Sequence, residues 1–241
     1  MKKLVVGNWK LNPNTPVEAV QLAEASDFDG VVICPPDIFL MQVGAVLKKA
    51  ALGAQDIFWE DAASITGEVS AIELKKSGVE YVIVGHSSRR EKVGETDELI
   101  NRKVGAALKA GLKTILCVGE TLEHHEQGED RAQGFVFEQL MVDLKDVIDG
   151  EGNLLIAYEP VWSISTSGTG MVDKPEDAAA MIDYIKRELT KLGFENTPVL
   201  YGGSVDSQTA GGFLAQETID GVLVGKASLD PEEFKQIVSL V

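Results

Sequence analysis

The chain has 241 residues, 44% of them hydrophobic, and a formal net charge of −16 at pH 7. The acidic balance argues against nucleic acids and anionic membrane surfaces as partners, because both require a basic surface. No apolar run approaches the ~18 residues that a membrane-spanning helix needs, so we expect no membrane association.

Eight short apolar runs alternate with amphipathic segments along the chain. The runs do not alternate in polarity, which is typical of parallel strands that are covered on both faces. The predicted strands are Leu4–Gly7, Gly30–Cys34, Ala51–Gln55, Tyr81–Val84, Thr114–Val118, Leu154–Tyr158, Pro198–Tyr201 and Gly221–Val224. Helix start signals with a capping residue occur at Thr15, Ser70 and Asp230, and Gly193 is a predicted helix end.

Eight strand–helix units without a linker predict a closed (β/α)₈ barrel (TIM barrel), with an outer ring of helices. We expect residues 1–241 to form a single domain, because such barrels fill about 250 residues as one unit. A doubly wound open sheet is the alternative. That fold favours a glycine-rich turn after its first strand, whereas Gly7-Asn8-Trp9-Lys10 follows here.

The two cysteines, Cys34 and Cys117, each end a short apolar run. Small buried positions suit an unpaired cysteine, and the chain has neither a C-x-x-C pair nor a disulfide framework. These features predict the reducing environment of the cytoplasm.

Polar side chains follow several of the predicted strands, at the end where a barrel builds its site. Asn8 and Lys10 follow the first strand, His86 follows the fourth, and Glu159 follows the sixth, directly before Pro160. A strand-end carboxylate most often caps a helix. Beside a loop rich in Ser, Thr and Gly, however, it is also a candidate base for removing a carbon-bound proton, with the loop as a lid that excludes water.

Small-residue turns follow the seventh and eighth strands, at Gly202-Gly203-Ser204-Val205 and Gly225-Lys226-Ala227-Ser228. We expect both turns to open helices, so that their backbone N–H groups can bind a phosphate. His86 also precedes a predicted helical turn, and the positive end of that helix would keep its imidazole neutral.

The other two histidines, His124 and His125, lie in the polar stretch Thr121–Glu129, where we expect them on a solvated face. Neighbouring histidines on a helix cannot both reach one ion, and no His or Cys partner stands at ligand spacing. We therefore expect no metal site.

Over essentially its whole length the chain resembles the triosephosphate isomerase family. The motifs that carry the resemblance are Gly7-Asn8-Trp9-Lys10, Gly85-His86-Ser87, Gly94-Glu95-Thr96-Asp97, Cys117-Val118-Gly119-Glu120-Thr121, Tyr158-Glu159-Pro160-Val161-Trp162 and Tyr201-Gly202-Gly203-Ser204-Val205. The resemblance implies interconversion of dihydroxyacetone phosphate and D-glyceraldehyde 3-phosphate, a homodimer, and no cofactor or metal.

The resemblance also implies a role for each matching residue. Glu159 would move the proton, neutral His86 would polarise the carbonyl, and Lys10 would stabilise enediolate and phosphate charge, with Asn8 as a nearby donor. For the phosphate, the implied residues are Ser204, the backbone N–H groups of Gly225 and Lys226, and a glycine of the lid.

The chain departs from the family pattern at three positions of the site. Ser88 stands where the family has a glutamate, so Lys10 is expected to lack its usual anionic partner. In the lid we favour Gly168 as the phosphate residue, because glycine permits close backbone approach, whereas counting from Glu159 would select Ser165. Lys226 replaces a glycine, which we expect to be harmless if its φ is not positive.

The segment from Gln55 to Ser70 is long for a barrel connection. Its Thr66, Gly67 and Glu68 resemble the family's loop that reaches into a partner subunit, which favours a homodimer. Two other functions remain open at this point. One is a barrel that has lost catalysis and binds phosphate or a partner, and the other is an enzyme for a larger phosphorylated substrate.

Overall fold

The protein is described here by a computed structural model that covers residues 3–164 and 168–241. In that part of the chain eight parallel strands form a closed barrel in sequence order. They are β1 (Leu4–Asn8), β2 (Val31–Cys34), β3 (Ala51–Ala54), β4 (Tyr81–Val84), β5 (Lys113–Val118), β6 (Leu154–Tyr158), β7 (Val199–Tyr201) and β8 (Gly221–Val224). Strand β1 closes the barrel, because Val6 lies opposite Val32 of β2 and Leu223 of β8. The predicted barrel is confirmed and the open sheet is wrong.

Helices connect the strands around the outside of the barrel. The α-helices in the described residues are α1 (Pro16–Ala25), α2 (Leu40–Gly44), α3 (Ala71–Lys76), α4 (Ser87–Lys92), α5 (Asp97–Lys109), α6 (Leu122–Glu126), α7 (Glu129–Asp143), α8 (Pro175–Lys191), α9 (Ala210–Leu214) and α10 (Pro231–Val238). Short 3₁₀ turns occur at Asp37–Phe39, Val161–Ser163 and Lys226–Leu229. Across the described ranges, no helix is both long enough and apolar enough to cross a membrane.

The predicted helix caps are confirmed. Thr15 and Ser70 each form a reciprocal capping box with a glutamate three residues later. Asp230 accepts hydrogen bonds from the N–H groups of Glu232 and Glu233. Gly193 follows the end of α8 with φ +90°, a left-handed conformation that glycine adopts without steric cost.

The strands are buried on both faces, as their non-alternating sequences predict. Their side chains belong to two separate apolar clusters. Val6 and Ile83 belong to the cluster contributed by strands alone, which fills the barrel. Their neighbours Val5 and Val82 belong to the larger cluster that packs the helices against the outside of the sheet. The barrel is therefore a packed core, with its polar groups at its ends.

Three predicted strand ends lie one residue outside the observed strands. Gly30 has φ +77°, which is not a strand conformation. Pro198 has no N–H to donate to a ladder, so β7 begins at Val199. Gln55 leaves β3, and its side chain donates to the carbonyls of Cys34 (3.0 Å) and Lys10 (2.8 Å).

Candidate active site

A cavity of about 300 Å³ opens at the carboxyl ends of the strands. Asn8, Lys10, His86 and Glu159 line one part of it and the turns after β7 and β8 line another, and Ile164, Leu223 and Glu233 complete the lining. The structure thus brings together side chains that are up to 151 positions apart in the sequence, between residues 8 and 159.

Glu159 and His86 are in direct contact on the wall of this cavity. Glu159 Oε1 lies 3.1 Å from His86 Nε2, and Glu159 Oε2 accepts a hydrogen bond of 2.9 Å from the N–H of Ser87. Both side chains are buried, with Glu159 only 2% and His86 only 7% exposed. A buried carboxylate with two donors has a fixed position, which a base in proton transfer requires.

The protonation of His86 follows from the start of α4. His86 is the N-cap of this helix, and its Nδ1 accepts a hydrogen bond of 3.1 Å from the N–H of Ser88. Since Nδ1 is an acceptor, the proton of the neutral ring is on Nε2 and points at Glu159. Burial lowers the pKa of His86, and the charge of Glu159 opposes that shift. The lowered pKa agrees with the predicted neutral imidazole. Its largest cause is burial, however, and not the helix end that the sequence suggested.

Lys10 is held by its own backbone. It has φ +54°, its N–H donates to Asn8 Oδ1 (3.1 Å), and its carbonyl accepts from Gln55 (2.8 Å). Burial lowers the pKa of Lys10, and the charge of Glu159 opposes that shift. A Cβ placed on Gly225 would lie 3.9 Å from Lys10 Nζ, so the ammonium sits beside the turn that follows β8. A positive φ outside glycine is uncommon and here fixes a cation between two parts of the cavity.

Glycines make room for Glu159, which the motif analysis did not foresee. A Cβ on Gly119 would lie 1.8 Å from the carbonyl oxygen of Glu159, and one on Gly202 would lie 2.9 Å from its Cγ. Cys117 is a further neighbour of Glu159. Burial is the main cause that raises the pKa of the Cys117 thiol, and the Glu159 carboxylate adds to that shift. The sequence signal that could have identified these neighbours of Glu159 is their position at the ends of β5 and β7.

Behind Glu159, Glu120 joins the strand end to the start of the lid. Its Oε1 accepts from Trp162 Nε1 (2.6 Å) and from the hydroxyl of Tyr158 (3.1 Å). Burial raises the pKa of Glu120 to about 7. The sequence indicated the two motifs that contain Glu120 and Trp162, but it did not predict a contact between these residues.

The two remaining histidines lie on α6, which has no buried residue, so the expected solvated face is confirmed in part: both side chains are partly exposed, and each also stacks on an aromatic ring. His125 stacks on Trp162 with ring centroids 3.9 Å apart, and His124 stacks on Phe135 at the same distance. Stacking on aromatic rings offsets the loss of hydration. In the described ranges, no group of three or more His, Cys, Asp or Glu side chains could hold a metal ion.

The turns after β7 and β8 differ from each other. The 3₁₀ turn Lys226–Leu229 begins directly after Gly225, as expected. The turn that contains Ser204 does not open a helix directly: Asp206 caps the turn 207–209 by accepting from the N–H groups of Gln208 (3.0 Å) and Thr209 (2.8 Å), and α9 begins only after it, at Ala210. Ser204, Gly225 and Lys226 all line the cavity. The residues outside glycine with positive φ in the described part are Lys10, Asp146 and Asn196, so Lys226 has an ordinary backbone.

Gly168, the favoured lid residue, has φ +78° and is exposed. It is not among the described residues that line the cavity. The alternative, Ser165, lies outside the described residues. A hydrogen bond connects the lid to the segment where it begins, because the hydroxyl of Thr169 donates to the carbonyl of Trp162.

The remaining departure, Ser88, and the loop expected to reach a partner subunit also lie within the described part of the chain. The hydroxyl of Ser88 lies 3.0 Å from His86 Nδ1, so this side chain is turned to the histidine. Thr66, Gly67 and Glu68 are exposed, and Gly67 has φ +96°.

Comparison with known proteins agrees with this geometry. The family model described as triosephosphate isomerase matches residues 3–241. The chain is 43% identical over 248 residues to the triosephosphate isomerase of Trichodesmium erythraeum, covering 99% of this chain and 98% of that protein. It is 42% identical over 251 residues to that of Caldanaerobacter subterraneus subsp. tengcongensis and 41% identical over 252 residues to that of Aquifex aeolicus, covering 99% of both chains in each case. The chain therefore belongs to the triosephosphate isomerase family.

Proposed function

We propose that this protein is a triosephosphate isomerase, which interconverts dihydroxyacetone phosphate and D-glyceraldehyde 3-phosphate in glycolysis and gluconeogenesis. The observation that carries the proposal is the contact between Glu159 and the Nε2 side of a neutral His86, in a cavity that Lys10 also lines. The reaction moves one proton between two carbons through an enediolate, and these groups supply a base and two donors. We assign the chain as a single catalytic domain that uses no metal or cofactor.

In this proposal Glu159 removes the proton from one carbon and returns it to the next. His86 Nε2–H now faces Glu159 Oε1 at 3.1 Å. When substrate binds, its carbonyl oxygen takes the place of the carboxylate at Nε2, and Glu159 turns to the carbon. A neutral imidazole donor is suited to this role, because it can stabilise a developing oxyanion without giving up a full charge.

Lys10 and Asn8 complete the chemistry. The Lys10 ammonium stands beside the β8 turn, so it can reach both the enediolate oxygens and the phosphate. Asn8 is 5% exposed and accepts from the Lys10 N–H, which orients it towards the same space.

The phosphate is assigned to the other part of the cavity. Ser204, Gly225 and Lys226 line the cavity after β7 and β8, and the N–H groups of the last two are the proposed phosphate donors. The N–H of Gly168 would join them when the lid closes. The closed lid would exclude water and so protect the enediolate.

A coupled assay with D-glyceraldehyde 3-phosphate tests the function directly. We expect turnover that is lost in His86→Gln and Glu159→Gln and retained in a chelating buffer. Absence of turnover in the purified parent protein would refute the proposal and would favour the alternative of a barrel that only binds phosphate. The family assignment does not favour that alternative.

We also propose that the protein is a cytoplasmic homodimer. Five of the large apolar side chains that are at least half exposed follow four adjacent strands of the barrel, which places these five on one side of the molecule, whereas Ile148 and Val172 lie elsewhere. The five are Leu11 after β1, Ile38 and Met41 after β2, Ile65 after β3 and Val93 after β4. This is the side of the exposed loop with Thr66, Gly67 and Glu68, which would reach the partner's cavity.

Sedimentation of the parent and of Ile65→Asp tests the dimer. We expect the parent to sediment as a dimer and Ile65→Asp to dissociate, since a charge would be buried without a partner. Ile148→Asp is the matched control, because Ile148 is 85% exposed but precedes β6 at the opposite end of the barrel. A monomeric parent, or equal effects of both variants, would contradict the assignment.

A further inference from the structure

The backbone N–H and the side-chain hydroxyl of Ser88 both lie within hydrogen-bond distance of His86 Nδ1. The N–H of Ser88 donates to Nδ1 at 3.1 Å, and the hydroxyl oxygen of Ser88 lies 3.0 Å from that nitrogen. The backbone donor is available to any residue at this position except proline. The hydroxyl comes from the side chain of Ser88, at a position where the family pattern described above has a glutamate.

The direction of the second hydrogen bond follows from the first. Because Nδ1 already accepts from a backbone N–H, it carries no proton. A serine hydroxyl can either donate or accept, so against an unprotonated nitrogen it donates. An ionised glutamate has acceptor oxygens only and could not make this contact.

Two donors on Nδ1 have a consequence at the other side of the ring. Hydrogen bonds in a chain polarise one another, so electron density drawn towards Nδ1 makes the Nε2–H a stronger donor. That proton faces Glu159 Oε1 at 3.1 Å, where the substrate oxygen would bind. The charged neighbours that act on the imidazole are Glu159, Lys10 and Arg89, and none of them touches Nδ1 through a hydrogen bond in the described residues.

We propose that Ser88 is a positioning residue for His86: its hydroxyl donates to Nδ1, holds the proton on Nε2 and strengthens Nε2–H as the group that polarises the substrate carbonyl. The catalytic part of this inference rests on the proposed isomerase function. The hydrogen bond itself does not, so the two can be tested apart.

The direct test is the ¹⁵N chemical shift of the His86 imidazole in the ligand-free protein. The chain has only three histidines, so His86→Gln identifies the signals. We expect Ser88→Ala, which keeps the backbone N–H, to move the Nδ1 resonance towards the value of a nitrogen without a hydrogen bond. Ser88→Thr retains a hydroxyl and should restore the parent shift, and Ser88→Cys, a weaker donor, should lie between them. An Nδ1 shift equal in Ser88→Ala, Ser88→Cys and the parent would overturn the proposal.

The kinetic test uses the same variants. We expect Ser88→Ala to lower kcat about fivefold with little change in KM, and Ser88→Thr to recover the loss. A changed shift with unchanged kcat would refute the catalytic part, and a changed shift in a protein without any isomerase activity would refute the proposed function alone. An unchanged shift in an active enzyme would refute the role of Ser88 alone.

Discussion

The cavity has two parts that are built in different ways. Its side-chain half consists of Asn8, Lys10, His86 and Glu159, and its backbone half consists of the turns 202–206 and 225–227. In the side-chain half each polar group is buried or tied to a neighbouring strand end by a hydrogen bond. In the backbone half Ser204 and Gly225 are partly exposed and Lys226 is exposed.

This difference explains where the chain can depart from its family. A turn that binds through N–H groups needs a particular backbone path, but it tolerates a new side chain that points to solvent. Lys226 is such a replacement. In the side-chain half a replacement must find new partners, and Ser88 has one in His86 Nδ1.

The largest expected effect is that of Lys10→Ala, because in the proposed function this ammonium serves both halves. We expect kcat/KM to fall by about 100- to 1000-fold, the cost of removing one preorganised group that stabilises charge. Competition by inorganic phosphate should weaken in parallel. A variant that loses turnover but is inhibited by phosphate as strongly as the parent would show that Lys10 acts in the side-chain half alone.

Glu159→Asp should give the second largest effect. The shorter side chain displaces the carboxylate by ~1 Å, and such a displacement can cost about 100-fold in kcat. The fold should remain, with a melting temperature lowered by about 3 °C for the lost methylene. Thermal unfolding beside steady-state kinetics measures both. A large loss of stability with a modest loss of kcat would show that Glu159 is a structural residue.

The sequence predicted the side-chain half better than the contacts that support it. Asn8, Lys10, His86 and Glu159 follow strands whose apolar runs are local patterns, and parallel strands bring their ends together. The bond from Ser87 N–H to Glu159 joins residues 72 positions apart, and that from Trp162 to Glu120 joins residues 42 apart. No local pattern contains such pairs, because packing in the closed barrel creates them.

The backbone half was harder to predict for another reason. The turn after β7 was expected to open a helix at once, but Asp206 caps an intervening turn and α9 begins only at Ala210. Where small polar residues can bind their own backbone, composition alone does not decide between a helix start and a capped turn.

Glu120 tests how strongly the side-chain half depends on its surroundings. Burial raises its pKa to about 7, above the ordinary value of 4.5, so the folded protein binds this proton more tightly than the unfolded chain does. The free energy of unfolding that this group contributes is therefore fully present below pH 4.5 and is lost as the pH rises towards 7. The expected loss is on the order of 3 kcal/mol.

Glu120→Gln should remove this dependence. The amide oxygen can still accept from Trp162 and Tyr158, so the fold and the connection between the strand end and the lid should be retained. Denaturant unfolding of the parent and the variant across the range from acidic to neutral pH measures the difference. The buried carboxyls that do not interact with Glu120 contribute equally to both, whereas Asp173 is coupled to it. Parallel stability profiles would show that Glu120 is not the titrating group.

Lys226→Gly should have the smallest effect, although it removes a cation from the lining of the cavity. Lys226 is exposed and its backbone is not strained, so glycine should not improve the turn. The charge of an exposed lysine is screened over a Debye length of about 10 Å at 0.1 M salt. We therefore expect kcat/KM to fall less than about threefold at that salt concentration and to fall further at low salt, where the net charge of −16 repels an anionic substrate more strongly. Lys226→Gln, which keeps most of the side chain, should match Lys226→Gly if charge alone matters. A loss equal to that of Lys10→Ala would mean that Lys226 is the principal cation, and the division of the cavity into two halves would then be wrong.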